Sequence, residues 1–193
     1  MGLARLLAVS RLRFLAFVSV VCVLNATPIA QRTQETTTTA DVELWVAAVD
    51  QIQREQQPRT LALMNETLTA AEFRDRLSGV TTEPILVEKL LRRNQSSLVI
   101  TSRVKPSIEL VDAPMVRKRG SADLDMAVIG TRFGRQRGRL VRLSLPVFSD
   151  DASRALVFTW TAGGFDDASG GGYVFERRQG QWTVVGYLAP WIT

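Results

Sequence analysis

The stretch that decides the fold is Arg139 to Trp191, RLVRLSLPVFSDDASRALVFTWTAGGFDDASGGGYVFERRQGQWTVVGYLAPW. Val141, Leu143, Leu145 and Val147 alternate with Arg142, Ser144 and Pro146, the two-residue period of a strand with one apolar side. Asp150-Asp151-Ala152-Ser153 has the composition of a turn, and Ala155 to Thr161 repeats the alternation with Leu156, Phe158 and Trp160 on one side. Gly163 to Gly172 reads as a polar, glycine-rich loop carrying Asp166 and Asp167. Tyr173 to Arg177 is a third strand, Gln179-Gly180 a tight turn that permits positive φ, and Trp182 to Leu188 a fourth strand. Four strands with short connections make an antiparallel meander.

Upstream of this module the periodicity turns helical. Val42, Trp45, Val46, Val49 and Ile52 recur at spacings of three and four, which predicts a helix from Val42 that ends in the QREQQP stretch before Pro58, with Trp45 as a core anchor. Thr60 to Met64 suits a short strand. Thr69 and Glu72 form a capping box, flanked by a hydrophobic staple of Leu68 and Phe73, and so start a helix over Ala70 to Ser78 that Gly79 stops. Thr82 and Pro84 open another helix, with Ile85, Leu86, Leu90 and Leu91 on its apolar side, closing near Asn94. Leu98 to Val104 and Ile108 to Val111 read as β, separated by a Lys105-Pro106 turn. Ser121 is placed to cap a short helix over Asp123 to Ile129, with Gly130 as its stop. The fold class that follows is α+β: N-terminal helices covering one face of a C-terminal antiparallel meander of four or more strands, by analogy a roll of the cystatin or nuclear-transport-factor kind.

Residues 1–30 have the grammar of a secretory signal peptide. Arg5, Arg11 and Arg13 precede an apolar run from Phe14 to Leu24, and Ala26 and Ala30 are candidate cleavage positions. A run of roughly 11 residues is short of the about 20 that a membrane helix needs, so cleavage is favoured over retention as an N-terminal anchor. Residues 31–40 are then a polar, flexible lead-in, and residues 41–193 one domain. The expected location is secreted or periplasmic, with no stable membrane span after cleavage.

Cleavage changes what the composition allows. Of 24 basic residues three are removed, leaving 21 against 19 acidic ones, so the net charge falls from +5 to +2 and argues for no nucleic-acid partner. The chain has no histidine, and its one cysteine, Cys22, lies in the apolar run. Residues 31–193 therefore have no means of forming disulfides, zinc-thiolate sites, cysteine nucleophiles or histidine-based triads. No cofactor or metal motif is present, and the aspartates of the glycine-rich loop lack the alternating ligands of a calcium loop.

Three groups remain as candidate sites. Asp166 and Asp167 offer carboxylates for a hard cation or, with Asp150 or Asp151, an acid/base pair; Asp, Ser and Gly are also the ordinary material of a hairpin loop. Arg132, Arg135 and Arg137, continuing to Arg139 and Arg142, form a basic stretch suited to an anionic surface or to a solvated loop and outer strand face. Trp160, Trp182 and Trp191, with Tyr173 and Phe175, suit either a sugar or apolar pocket or the core. Asn65-Glu66-Thr67 and Asn94-Gln95-Ser96 also match the glycosylation acceptor pattern.

The order Leu143-Ser144-Leu145-Pro146-Val147-Phe148-Ser149-Asp150, Ala155-Leu156-Val157-Phe158, Gly170-Gly171-Gly172-Tyr173-Val174-Phe175 and Gly180-Gln181-Trp182-Thr183-Val184 resembles an uncharacterised bacterial family of secreted α+β domains. The resemblance extends over roughly residues 41–193 and is specific over the last quarter. It implies the fold class and export and assigns no activity. Some relatives carry cysteines between the second and third strands, where Gly163 to Gly172 has none. The expectation from residues and resemblance together is an exported, non-enzymatic domain that binds a ligand or an envelope partner. A carboxylate hydrolase using Asp166 and Asp167, and an electrostatic binder using Arg132 to Arg142, are the alternatives.

Overall fold

The computed structural model describes residues 37–58, 60–101, 103–134, 138–164 and 166–192; Arg135, Arg137 and the expected signal peptide lie outside them. Helix α1 spans Thr39–Gln56, strand β1 Leu61–Met64, α2 Ala70–Leu77, α3 Pro84–Arg93, β2 Glu109–Val111 and α4 Met126–Arg132. Five more strands follow: β3 Arg139–Leu143, β4 Val147–Phe148, β5 Arg154–Gly164, β6 Asp167–Arg178 and β7 Gln181–Ile192. The fold is α+β, with helices packed on a seven-stranded sheet ordered β2-β1-β3-β5-β6-β7, β4 pairing with β5.

The expected meander is the antiparallel part of this sheet, β3 and β4 against β5, then β6, then β7. Two parallel pairings, β1 with β2 and β1 with β3, extend it beyond the purely antiparallel arrangement that the turns suggested. Parallel neighbours need a crossover rather than a hairpin, and α2 and α3 supply the one between β1 and β2.

Helices cover both faces, where the sequence suggested one. Leu44, Trp45, Ala48, Val49 and Ile52 of α1 pack on Leu61, Leu63, Val141, Leu143, Val157, Tyr173 and Phe175. The opposite face meets α2 and α3 through Phe73, Leu86, Leu90, Leu156, Phe158 and Val174. It meets α4 through Ala62, Met64, Ile129, Phe133, Leu140 and Ala162. Successive strand residues point to opposite sides, so β1, β3 and β5 are buried at nearly every position and their alternation has no solvated side.

A bend between β3 and β4 also departs from the single strand expected over Val141 to Val147. Leu143 pairs with Thr159 but Val147 with Leu156, so the register slips by one and Val147 turns to the face opposite Val141 and Leu143. Side chains carry the ladder across the gap. Ser144 N–H donates to the Phe158 carbonyl at 2.8 Å, and the Ser144 hydroxyl accepts from Phe158 N–H at 2.9 Å. That frees the Ser144 carbonyl for the Trp45 indole N–H at 2.8 Å. Asn94 accepts from Leu145 N–H at 2.7 Å and donates to the Leu145 carbonyl at 3.0 Å, standing in for the missing strand partner.

Other boundaries move for local reasons. Thr38 caps α1 in a capping box with Asp41, so Thr39 and Ala40 are helical rather than part of the lead-in. Leu98 to Val104 forms no strand among the described residues; Val99 makes one isolated bridge, to Glu66. Asp125, not Ser121, caps α4, which places Gly130 inside that helix. Ile85 is 67% exposed, its place on the buried side of α3 taken by Val87. Thr69 and Glu72 form the expected capping box. Gln179 (φ 52°) and Gly180 (φ 81°) form the expected turn between β6 and β7.

Candidate functional site

Among the described residues, the aspartates and arginines that the sequence offered as sites do not converge. Strand β5 runs to Gly164, which pairs with Asp167 at the start of β6, so most of the glycine-rich stretch is strand rather than loop, with Gly170 paired to Trp160 and Gly172 to Phe158. Asp167 is ion-paired with Arg139 across the sheet, and Asp166 is exposed at the tip. Asp150 and Asp151 stand at the other end of β5, and an 11-residue strand is about 35 Å long, so the two aspartate pairs share no cleft. Asp150 binds Lys89 at 2.5 Å. Asp151 is spent on its own turn, where hydrogen bonds from Ser149 and then Ser153 hold its carboxyl at about 2.

The described arginines of the basic stretch, Arg132, Arg139 and Arg142, are likewise committed to carboxylates. Arg132 pairs with Glu109 and lies over the Phe133 ring. Arg142 is 3% exposed, not on a solvated strand face, and its guanidinium meets both carboxylate oxygens of Glu72. Burial pushes the Glu72 carboxyl up, but the Arg142 guanidinium and the Thr69 hydrogen bonds outweigh it and hold Glu72 below the usual carboxylate range. Asn94 is fully buried with its amide spent on backbone groups, so the Asn94-Gln95-Ser96 acceptor is closed to glycosylation in the folded chain. Phe175, 1% exposed, belongs to the core.

What the fold does bring together is a cleft of about 170 Å³ at the C-terminal end of α1. Its centre is Glu55. The Tyr173 hydroxyl donates to Glu55 Oε2 at 2.8 Å, while the Tyr187 hydroxyl and Gln51 Nε2 (2.5 Å) donate to Oε1. Next to it Gln56 reaches the hydroxyls of Thr161 and Ser169, both at 3.3 Å, and those hydroxyls lie 2.9 Å apart. Gly170, Gly171, Pro190 and Trp191 complete the walls. The Trp191 side chain itself turns to the opposite face beside Gly170, and its indole N–H is buried there with no partner among the described residues.

The electrostatics of this cleft favour hydrogen bonding over proton transfer. Partial burial pushes Glu55 up, but hydrogen bonds from Tyr187, Gln51 and Tyr173 and the nearby Arg54 charge outweigh it and hold the carboxyl below its usual range. Burial pushes the Tyr173 phenol well up, and the Glu55 carboxylate adds to that; Tyr187 moves the same way for the same causes. At neutral pH the site holds one carboxylate and two protonated phenols. An efficient general acid or base needs a pKa near the working pH, and these groups are driven away from it.

Sequence reasoning reached Tyr173 and Trp191 as aromatics and passed over Glu55 and Gln56 as the polar end of a helix. A signal was available. The buried stripe Trp45, Val49, Ile52 continues at the same spacing to Gln56, so a polar side chain stands where the pattern calls for an apolar one. Thr159 and Thr161 show the same thing on β5: hydroxyls 2% and 1% exposed on the side opposite Phe158 and Trp160. Comparison of the chain with protein-family models, with curated proteins and with solved structures finds no match.

Proposed function

We propose that the chain is an exported, non-enzymatic binding domain whose ligand is a small hydroxylated molecule of the saccharide type, held in the Glu55 cleft. The observation that carries this reading is the convergence of a carboxylate, an amide and the hydroxyls of Thr159, Thr161, Ser169, Tyr173 and Tyr187 on one small cavity. Hydroxyl groups of a sugar are both donors and acceptors. They match a carboxylate and hydroxyls that accept and an amide N–H that donates, and the Tyr187 ring supplies an apolar wall on which a sugar's C–H face rests. The carboxylate hydrolase reading is not favoured, because Asp167 is tied to Arg139, Asp166 is exposed, and Asp150 and Asp151 are a strand length away. The export half of the reading rests on the signal-like residues 1–30 and on the resemblance of the closing module to secreted domains. Among the described residues no helix is long and apolar enough to cross a membrane.

Titration calorimetry of the chain against a panel of mono- and disaccharides tests the ligand. The expected result is saturable binding to at least one sugar, weakened about tenfold or more by Glu55→Gln and by Tyr187→Phe. Absence of binding across the panel, or equal binding by both variants, removes the proposal. Fractionation of an expressing bacterium tests export: the chain is expected outside the cytoplasm, shortened near Ala26 or Ala30, and a full-length cytoplasmic product overturns that half.

A further inference from the structure

On the face opposite α1, the register of four strands sets a row of side chains across the sheet. Arg142 of β3 pairs with Trp160 of β5, Trp160 with Gly170 of β6, and Gly170 with Trp191 of β7. Because Gly170 has no side chain, the Trp191 indole leans across it: a Cβ there would lie 2.9 Å from the indole nitrogen. The row therefore reads guanidinium, indole, indole, and α2 runs along it with Glu72, Phe73 and Arg76. The space between helix and row is a cleft of about 230 Å³. Its back is Phe73 stacked on Phe158, centroids 4.8 Å apart at 17°.

Three observations define what would fit. The lining includes Phe73, Phe158, Trp160 and Trp191, and the two tryptophans are only partly buried, so flat apolar surface faces the opening. The one carboxylate of the lining, Glu72, is clamped by both terminal nitrogens of Arg142. Arg142 itself, 3% exposed, keeps an Nε–H with no partner among the described residues. Arg76, at the mouth, lies 4.9 Å over the Trp191 ring and has no ion pair among the described residues. Two guanidinium charges face one carboxylate, and the uncommitted charge is at the entrance. The volume is below the roughly 300–1,000 Å³ of drug-sized sites, which limits the occupant to one or two rings.

We propose that this cleft is a second binding site, distinct from the Glu55 cleft, for a small aromatic monocarboxylate: the ring lies against Trp160 and Trp191 and the carboxylate rests on Arg76. The same arrangement favours the acid over a neutral analogue, which lacks the charge that Arg76 attracts, and disfavours a cationic one by repulsion.

The test uses phenylacetate and indole-3-acetate as probes, with phenylacetamide as the neutral isostere, read by tryptophan emission and by calorimetry. Both acids are expected to bind saturably and change the emission, and the amide to bind about tenfold more weakly or worse. Added salt should weaken the acids and leave the amide unchanged. Arg76 is exposed, so Arg76→Gln should fold normally; it should equalise acid and amide, while Arg76→Lys should retain part of the preference. Glu55→Gln should leave acid binding as it is, which separates this proposal from the sugar site. Failure of both acids to bind at millimolar concentration, equal affinity for acid and amide in the unaltered chain, or an unchanged preference in Arg76→Gln overturns it.

Discussion

Asn94→Leu is the sharpest test of how the sheet survives its own break. At the β3–β4 bend, Leu145 has no strand partner, and both its backbone groups are served by one side chain: Asn94 Oδ1 accepts its N–H at 2.7 Å, and Asn94 Nδ2 donates to its carbonyl at 3.0 Å. Asn94 Nδ2 also donates to the Leu90 carbonyl at 2.9 Å, but that group keeps the Asn94 backbone N–H at 3.1 Å. Leucine keeps the branched outline of asparagine and is apolar, but its methyl groups are bulkier than the amide oxygen and nitrogen, so at this buried position the substitution opens no cavity and adds an overpacking cost to the lost hydrogen bonds. It leaves the Leu145 N–H and carbonyl buried without partners. Each orphaned group costs about 1–3 kcal/mol, so the expected loss is about 2–6 kcal/mol. In a domain of this size each kcal/mol lowers Tm by about 2–4 °C. Urea unfolding followed by far-ultraviolet circular dichroism measures the loss, with Gln95→Leu, at an exposed neighbour, expected within about 0.5 kcal/mol of the unaltered chain. A value for Asn94→Leu within about 1 kcal/mol of the unaltered chain would refute the reasoning, since the ladder would then not depend on this amide.

The Glu72–Arg142 pair should respond asymmetrically. Glu72→Ala strands a guanidinium that is 3% exposed and should cost about 3–5 kcal/mol, whereas Arg142→Met leaves a carboxylate that water reaches and should cost less; the reverse order in urea unfolding would count against the assignment. Because the folded chain holds Glu72 below its ordinary range, its contribution is present above the unfolded carboxylate pKa and is lost as pH falls through the depressed value. The stability gap between the unaltered chain and Glu72→Gln should therefore be widest near neutrality and close in acid; a gap that widens on acidification contradicts it. Glu55 follows the same sign, so sugar binding at the cleft should fade only as pH falls below the ordinary carboxylate range, and a loss near pH 6–7 would point to another group. Ser149→Ala removes the largest influence on Asp151, and a side-chain carboxyl titration by NMR should move from about 2 toward the ordinary value. An unmoved titration would show that Ser153 alone suffices.

Much of the architecture was legible in the residues because the signals are local. The Thr69–Glu72 box, the Gln179-Gly180 turn and the apolar stripe of α1 each depend on neighbours within a turn or two, and each is found where its pattern stands. The second covered face was less legible, since a strand buried on both sides and a strand buried on one differ only in whether the alternate residues find partners. Arg142 and Ser144 looked like outer-face residues and are buried, one by a carboxylate from α2, the other by standing in for backbone at a bend.

The site shows the same division. Composition alone identifies Gly163 to Gly172 as a loop, because glycine and aspartate are turn residues wherever only near neighbours matter. In the folded chain Gly170 is a strand residue whose missing side chain leaves room for the Trp191 ring, a requirement set by a residue 21 positions away. Asn94 matched a glycosylation pattern over three residues, and the bend at Leu145 closes it. Glu55 lies at the end of a helix, and its meaning comes from two phenols more than 100 positions later in the chain. The sequence by itself determined the α1 stripe, the Thr69–Glu72 capping box and the Gln179-Gly180 turn, because each is set by near neighbours. Which polar groups face one another, and so what the protein can hold, was decided by pairings that no local window contains.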